Sequence, residues 1–92
     1  MTVEIPAITK DPNAILDYGF DWSDWLATAE TISTSAWTVP TGITNEDDSN
    51  TTTTTTIWLS GGTAGQTYRI VNRITTTTRT EDRSIDVEMR NK

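Results

Sequence analysis

Two runs of threonine constrain this chain more than any other sequence feature. Thr51–Thr56 leads directly into the apolar residues 57–59, and Thr75–Thr78 follows a second apolar stretch. The branched Cβ of threonine suits an extended strand and disfavours a helix. Disorder is the alternative interpretation, but disordered tracts carry few aromatic residues, whereas these runs border aromatic stretches. The runs therefore predict β-strands.

The rest of the chain has the same character, with about seven strand-like segments separated by turn residues. In the clearest segment, apolar and aromatic side chains alternate with Asp17, Gly19 and Asp21, which is the period of a half-buried strand. Residues 1–13 are predicted to be an extended arm or a first edge strand, because Pro6 and Pro12 exclude a helix. The other predicted strands are Ile15–Trp22, Glu30–Ser33, Ala36–Val39, Thr53–Leu59, Gln66–Thr76 and Arg83–Arg90.

The predicted connections are rich in turn-forming residues. Asn45–Asn50 is predicted to be an acidic loop, and Ser60–Gly62 a turn. Thr77–Glu81 is predicted to close a C-terminal hairpin. Residues 23–27 fit either one helical turn or a continuation into the next strand.

This pattern predicts an all-β fold, an immunoglobulin-like antiparallel β-sandwich of about seven strands over residues 14–92. Tyr68 opens the penultimate strand as in a tyrosine corner, with its phenol placed to bond backbone near the preceding bend. Trp37 lies in a strand where sandwiches of this class bury an indole. The predicted core residues are Phe20, Trp22, Ile32, Trp37, Ile57, Leu59, Tyr68, Ile70, Ile74, Ile85 and Val87.

Composition excludes several classes of function. The 92 residues include no histidine and no cysteine, which removes Ser-His-Asp and Cys-His catalysis, the usual zinc sites and disulfides. The net charge of −6 argues against nucleic acid or an anionic membrane as the partner. Residues 1–6 lack the basic and apolar regions of a secretory signal, so we expect synthesis in the cytoplasm.

Three blocks of sequence resemble a family of small tailed-phage proteins, the immunoglobulin-like phage fibre-tail adaptor proteins. The blocks are Asp17–Leu26, Ser35–Gly42 and Ile57–Gly65, and the similarity spans roughly residues 10–90. The resemblance implies a structural role in the virion, with synthesis in the host cytoplasm. It supplies no catalytic motif.

Motifs that suggest ligand binding fail on spacing. An EF-hand loop needs Gly at position six and Glu at position twelve, where a loop starting at Asn45 has Asn50 and Thr56. A solvated turn is therefore preferred over a non-canonical cation site. Gly61-Gly62 lacks the Lys-Ser/Thr ending of a phosphate loop. We predict no catalytic residue, no metal site and no cofactor, and we interpret three strand carboxylates as solubilising charges: Asp17, Asp21 and Asp24.

Four residues are candidates for partner binding. Trp58 lies between Ile57 and Leu59, so it faces outward if those two face the core, and an exposed indole is a common interface anchor. Burial within the same chain is an equally weighted alternative. Trp25 is similarly ambiguous. In the N-terminal arm, Ile5 and Ile8 could dock on a neighbour, unless the arm is the first strand of its own domain.

Charge is distributed unevenly along the chain. Residues 1–48 carry nine acids and one base, whereas residues 49–92 carry four acids and six bases. Faces of opposite sign could support contacts between copies. The competing interpretation is pairing within a sheet, such as Arg69 or Arg73 with Asp86 or Glu88.

These observations predict a non-enzymatic virion protein that contacts other virion proteins of the tail or capsid. Contacts between copies of the protein itself are a further alternative. A fibre-to-tail adaptor is the leading hypothesis. A capsid decoration protein is the alternative, and a carbohydrate-binding sandwich that stacks sugars on Trp58 or Trp25 is a weaker one.

Overall fold

A computed structural model describes residues 7–90. Within this range the chain forms seven β-strands and no helix. The strands are β1 (Ala7–Lys10), β2 (Leu16–Asp21), β3 (Thr34–Thr38), β4 (Ile43–Asn50), β5 (Thr54–Gly61), β6 (Thr67–Thr75) and β7 (Thr80–Met89).

The strands form two sheets that pack as a sandwich. One sheet has four strands in the order β1-β7-β6-β3, and the other has three in the order β2-β5-β4. All neighbours are antiparallel except β1, which pairs with β7 in parallel. The predicted all-β sandwich is therefore confirmed, and the strand order is consistent with an immunoglobulin-like arrangement.

The core lies between the sheets and follows the alternation of the strands. In β5, Thr55, Ile57 and Leu59 are buried, and the residues between them are not. All predicted core residues are buried except Trp37 and Tyr68, which pack against the core and are partly buried. Ile43 and Met89 complete it. The tyrosine corner is confirmed, because the Thr63 N–H donates to the Tyr68 hydroxyl over 3.1 Å.

A buried polar network joins the two sheets at the centre of the core. The Trp22 Nε1–H donates to Thr55 Oγ1 and to Asn72 Oδ1, with the nitrogen 3.2 Å from each oxygen. The Thr55 hydroxyl donates to Asn72 Oδ1 over 2.7 Å. The Asn72 Nδ2 group donates to Ser35 Oγ (3.0 Å) and to the Ala36 carbonyl (3.1 Å). All the donors and the acceptor of this amide are therefore used, as buried polar groups require.

The prediction of a loop over Asn45–Asn50 was wrong. These residues belong to β4, which pairs with β5 from Ile43↔Gly61 to Asn50↔Thr55, with a bulge between Asn45 and Asp47. Ladder hydrogen bonds and the buried Ile43 side chain outweigh the turn preference of Asn, Asp and Ser. The prediction of a strand over Glu30–Ser33 was also wrong, since only isolated backbone bonds hold that segment.

The N-terminal segment within the described range is β1. Its residue Ile8 pairs with Val87 and packs against the core, and Lys10 is fully buried. The Lys10 Nζ donates to the Asp11 carbonyl (3.0 Å) and to the Gly61 carbonyl of the opposite sheet (2.8 Å). Burial lowers the pKa of this amine, and the nearby Asp11 opposes that shift. Lys10 thus ties β1 to the second sheet.

Candidate interaction surface

Trp58 lies on the outer face of the three-stranded sheet. Ile57 and Leu59 are buried on the other face of β5, so the predicted outward direction of Trp58 is confirmed. The indole is half-buried, because β5 is the central strand. Directly opposite Trp58 are Asp17 on β2 and Asp47 on β4. An aromatic side chain therefore stands between two carboxylates.

A third carboxylate belongs to the same surface. Glu46 lies at the β4 bulge, and its carboxylate accepts a hydrogen bond from the hydroxyl of Ser60, two residues after Trp58. We call Asp17, Glu46, Asp47 and Trp58 the acidic face. No ion pair within residues 7–90 involves any of its three acids.

The arginines are already engaged elsewhere. All five form ion pairs with acids outside the acidic face, so the negative charge of that face has no arginine partner. Two of the pairs, Arg69–Asp86 at 2.9 Å and Arg73–Asp82 at 2.8 Å, lie within the four-stranded sheet. The pairing of Arg69 with Asp86 is one that the sequence suggested, whereas Arg73 takes Asp82 because β7 begins earlier than predicted. The other three pairs are Arg79–Glu30, Arg83–Asp24 and Arg90–Glu88.

Trp25 does not belong to the acidic face. It follows β2, is partly buried, and meets Trp22 edge-on with ring centroids 5.6 Å apart. The Arg79 guanidinium lies 3.9 Å from the centroid of the Trp25 ring and also donates to the Trp25 carbonyl over 3.2 Å. A neighbouring side chain of the same domain therefore covers this indole, which is a favourable cation–π arrangement.

Glu30 holds Arg79 in this position. Its carboxylate accepts hydrogen bonds from Arg79, from the Ala27 N–H (2.9 Å) and from the Thr76 hydroxyl (2.7 Å). The bonds from Arg79, then those from Ala27 and Thr76, hold the pKa of Glu30 well below its ordinary value. The loop after β2 is thus fastened to the turn before β7.

This fastening predicts a pH-dependent contribution to stability. A pKa that is lower in the folded than in the unfolded chain stabilises the fold above the unfolded value of about 4.3, and the contribution disappears as the pH falls. Glu30→Gln is expected to lower the melting temperature by several degrees near neutral pH, and the difference from wild type should shrink progressively as the pH falls below about 4.3. Glu81→Gln, at an exposed position, is the control. A difference in melting temperature between wild type and Glu30→Gln that is the same near neutral pH and at acidic pH would contradict a stabilising role for the Glu30 carboxylate.

The four sequence-predicted contact residues do not form one surface. Ile8 faces the interior of the four-stranded sheet, Trp25 is covered by Arg79, and Trp58 lies on the outer face of the other sheet. Ile5 lies outside the described residues. Glu46 and Asp47 were missed as site residues because the sequence predicts a loop there. A loop residue has no cross-strand partner, so the sequence could not show that these acids lie beside Trp58.

Two other features concern metal binding and membrane crossing in the part of the chain that the structure describes. Within residues 7–90, no group of three or more acidic side chains is placed to hold a metal ion. The same range contains no helix long and apolar enough to cross a membrane.

Comparison with known proteins identifies the chain. Residues 10–88 match the family described as Podophage GP4 fiber-tail adaptor protein gp77, in agreement with the resemblance seen in the sequence. No curated protein matches the chain. The family description supports a structural role in the virion, joining fibre to tail and contacting other virion proteins, and it suggests a role without catalysis. The match extends from the end of β1 almost to the end of β7, and the chain therefore belongs to the podophage fibre-tail adaptor family.

Proposed function

We propose that this adaptor binds a virion partner through the acidic face, with Trp58 as the central anchor and a basic surface on the partner. The observation that carries the proposal is the position of Trp58 between Asp17 and Asp47 on an outward sheet face. Aromatic anchors that become fully buried on docking dominate interface energies. The half-buried indole of Trp58 still has exposed surface that a partner can cover.

The charge of the acidic face indicates the chemistry of the partner. All five arginines are paired with other acids, so the carboxylates around Trp58 are free to attract cationic groups from outside the chain. Complementary charge increases the association rate and fixes the orientation of docking. The same surplus charge disfavours nucleic acid and anionic membranes as partners. In this proposal the protein has no catalytic activity, and it is made in the host cytoplasm before it enters the particle.

Replacing Trp58 tests the proposal. Trp58→Thr places a β-branched residue, which suits an extended backbone, in a central strand, so the melting temperature should stay near that of wild type. Incorporation into particles should fall about 30-fold, the effect of losing a hot spot of about 2 kcal/mol. Quantitative immunoblotting of purified particles measures this.

Val71→Thr is the matched control. Val71 is half-buried on the outer face of the other sheet, also in an interior strand. The Val71→Thr variant should be incorporated into particles as efficiently as the wild-type protein. Equal incorporation of the two variants would refute the assignment of Trp58. Docking by Ile5 and Ile8 stays a prediction.

A further inference from the structure

The open edge of β2 has the properties of a strand acceptor. β2 is an outer strand of the three-stranded sheet, and its six residues pair with β5 without interruption from Leu16↔Leu59 to Asp21↔Thr54. Its residues are mostly exposed, with only Phe20 buried. A regular, exposed edge strand presents unpaired backbone groups that another chain can use.

The register shows which backbone groups point outward. The Trp22 N–H donates to the Thr53 carbonyl over 2.8 Å, one residue beyond the last β2–β5 pair. In an antiparallel ladder, residues that bond to the partner strand alternate with residues that do not. Tyr18 and Phe20 therefore bond to β5, whereas Asp17 and Gly19 direct their N–H and C=O groups away from it. These groups have no backbone partner within residues 7–90.

The other sheet edges are less suited to strand addition. β4 contains a bulge, and the Asp48 N–H is already bonded by the Asp47 carboxylate over 2.9 Å. Bulges and charged side chains protect an edge against pairing. β1 has four residues and β3 has five. Of the four edges in the described range, β2 combines the longest unbroken register with unused backbone groups.

The side chains along this edge indicate what would pair with it. Ile15 and Leu16 are the exposed large hydrophobic residues of the described range, with 63% and 36% of their surface accessible. Next to them, Asp17 points to the outer face beside Trp58 and has no ion pair within that range. A complementary strand would carry an aliphatic residue near Ile15 and a basic residue opposite Asp17.

We propose that an extended segment of a partner virion protein, which carries Lys or Arg opposite Asp17 and an aliphatic residue two positions away near Ile15, adds to the open edge of β2 as a fourth strand of the sheet. Backbone hydrogen bonds to Asp17 and Gly19 supply affinity, and the outward side chains of the added strand supply specificity. The added strand lies next to the acidic face, because Asp17 belongs both to the edge strand β2 and to that face. This inference rests on the proposed function and names the form that the partner takes.

Amide hydrogen exchange in assembled particles tests the strand addition directly. The Asp17 and Gly19 amides are expected to exchange at least about tenfold more slowly in the particle than in the isolated protein. The Tyr18 and Phe20 amides serve as internal controls, because they bond to β5 in both states. Unchanged exchange at Asp17 and Gly19 would overturn the inference, as would their protection in a homodimer of the isolated protein.

Substitutions at Asp17 separate the backbone contribution from the charge. Asp17→Pro removes an outward N–H that β5 does not use, whereas Asp17→Asn keeps it and removes only the charge. The Pro variant should incorporate into particles at least about tenfold less than the Asn variant, the effect of about 1.4 kcal/mol. Equal incorporation would overturn strand addition.

Two variants at Ile15 test the same inference if the Asp17→Pro variant does not fold. Ile15→Lys should reduce incorporation by repelling a basic strand, and Ile15→Thr should reduce it less. Equal incorporation of these two variants would count against the basic strand.

The two proposals, docking through the acidic face and strand addition to β2, can fail separately. If Trp58→Thr blocks incorporation while Asp17→Pro matches Asp17→Asn, the acidic face stands and strand addition falls; if Trp58→Thr incorporates normally, the acidic face falls.

Discussion

Trp22→Ala is expected to lower the free energy of unfolding by about 3–5 kcal/mol, since it leaves a large cavity in the core. Trp22 is fully buried and lies edge-on to Phe20 with ring centroids 6.2 Å apart. The Arg83 guanidinium lies 4.2 Å from the centroid of its ring. The substitution also removes the Nε1–H from the polar network. Urea unfolding followed by circular dichroism measures the loss.

Trp37→Ala is the matched comparison. Trp37 stacks on Phe20 at 5.9 Å, but it is only half-buried, and its Nε1 has no hydrogen-bond partner among residues 7–90. Its removal should cost less than that of Trp22, because less buried area and no hydrogen bond are lost. A larger loss for Trp37→Ala than for Trp22→Ala would contradict the assignment of Trp22 as the central indole.

Asn72→Asp is expected to cost about 3–5 kcal/mol near neutral pH, the cost of an uncompensated buried charge. The amide donates to Ser35 Oγ and to the Ala36 carbonyl, and a carboxylate would place an acceptor against that carbonyl. Burial raises the pKa of such a carboxyl, so the protonated form is favoured and the destabilisation should shrink as the pH is lowered. Urea unfolding near pH 7 and near pH 4 tests this.

Asn50→Asp is the control for the same chemical change at an exposed position. Within residues 7–90, the Asn50 side chain donates only to the neighbouring Thr51 carbonyl. Its replacement should change the unfolding free energy by less than about 0.5 kcal/mol. If the two Asn→Asp substitutions had similar effects, the buried network would not stabilise the fold as described.

The alternation of β5 and β7 could be predicted from the sequence because one face of each of these strands is apolar. The period of two is strict in β5 and in the second half of β7, and Ile57, Leu59, Ile85 and Val87 are all buried. β4 could not be predicted, because seven of its eight residues are polar and only Ile43 enters the core. Its strand conformation depends on pairing with β5, which local propensity does not encode.

The candidate site, like the fold, could be predicted only in part from the sequence. Trp58 followed from its apolar neighbours, but Asp47 joins it only through the β4–β5 register and its bulge. Trp25 was ambiguous for a similar reason. The arginine that covers it, Arg79, is 54 residues away in the sequence, so no local pattern could have revealed the contact. Cross-strand and loop-to-loop contacts of this kind require the fold.

Electron microscopy of particles assembled without this chain tests the adaptor role most directly. If the chain joins fibre to tail, particles made by a phage lacking it should have filled heads and tails but no fibres, and supplying the chain in trans should restore the fibres. Supplying the Trp58→Thr variant should not restore them, whereas Val71→Thr should. Particles that keep a full set of fibres in the absence of the chain would contradict the adaptor role.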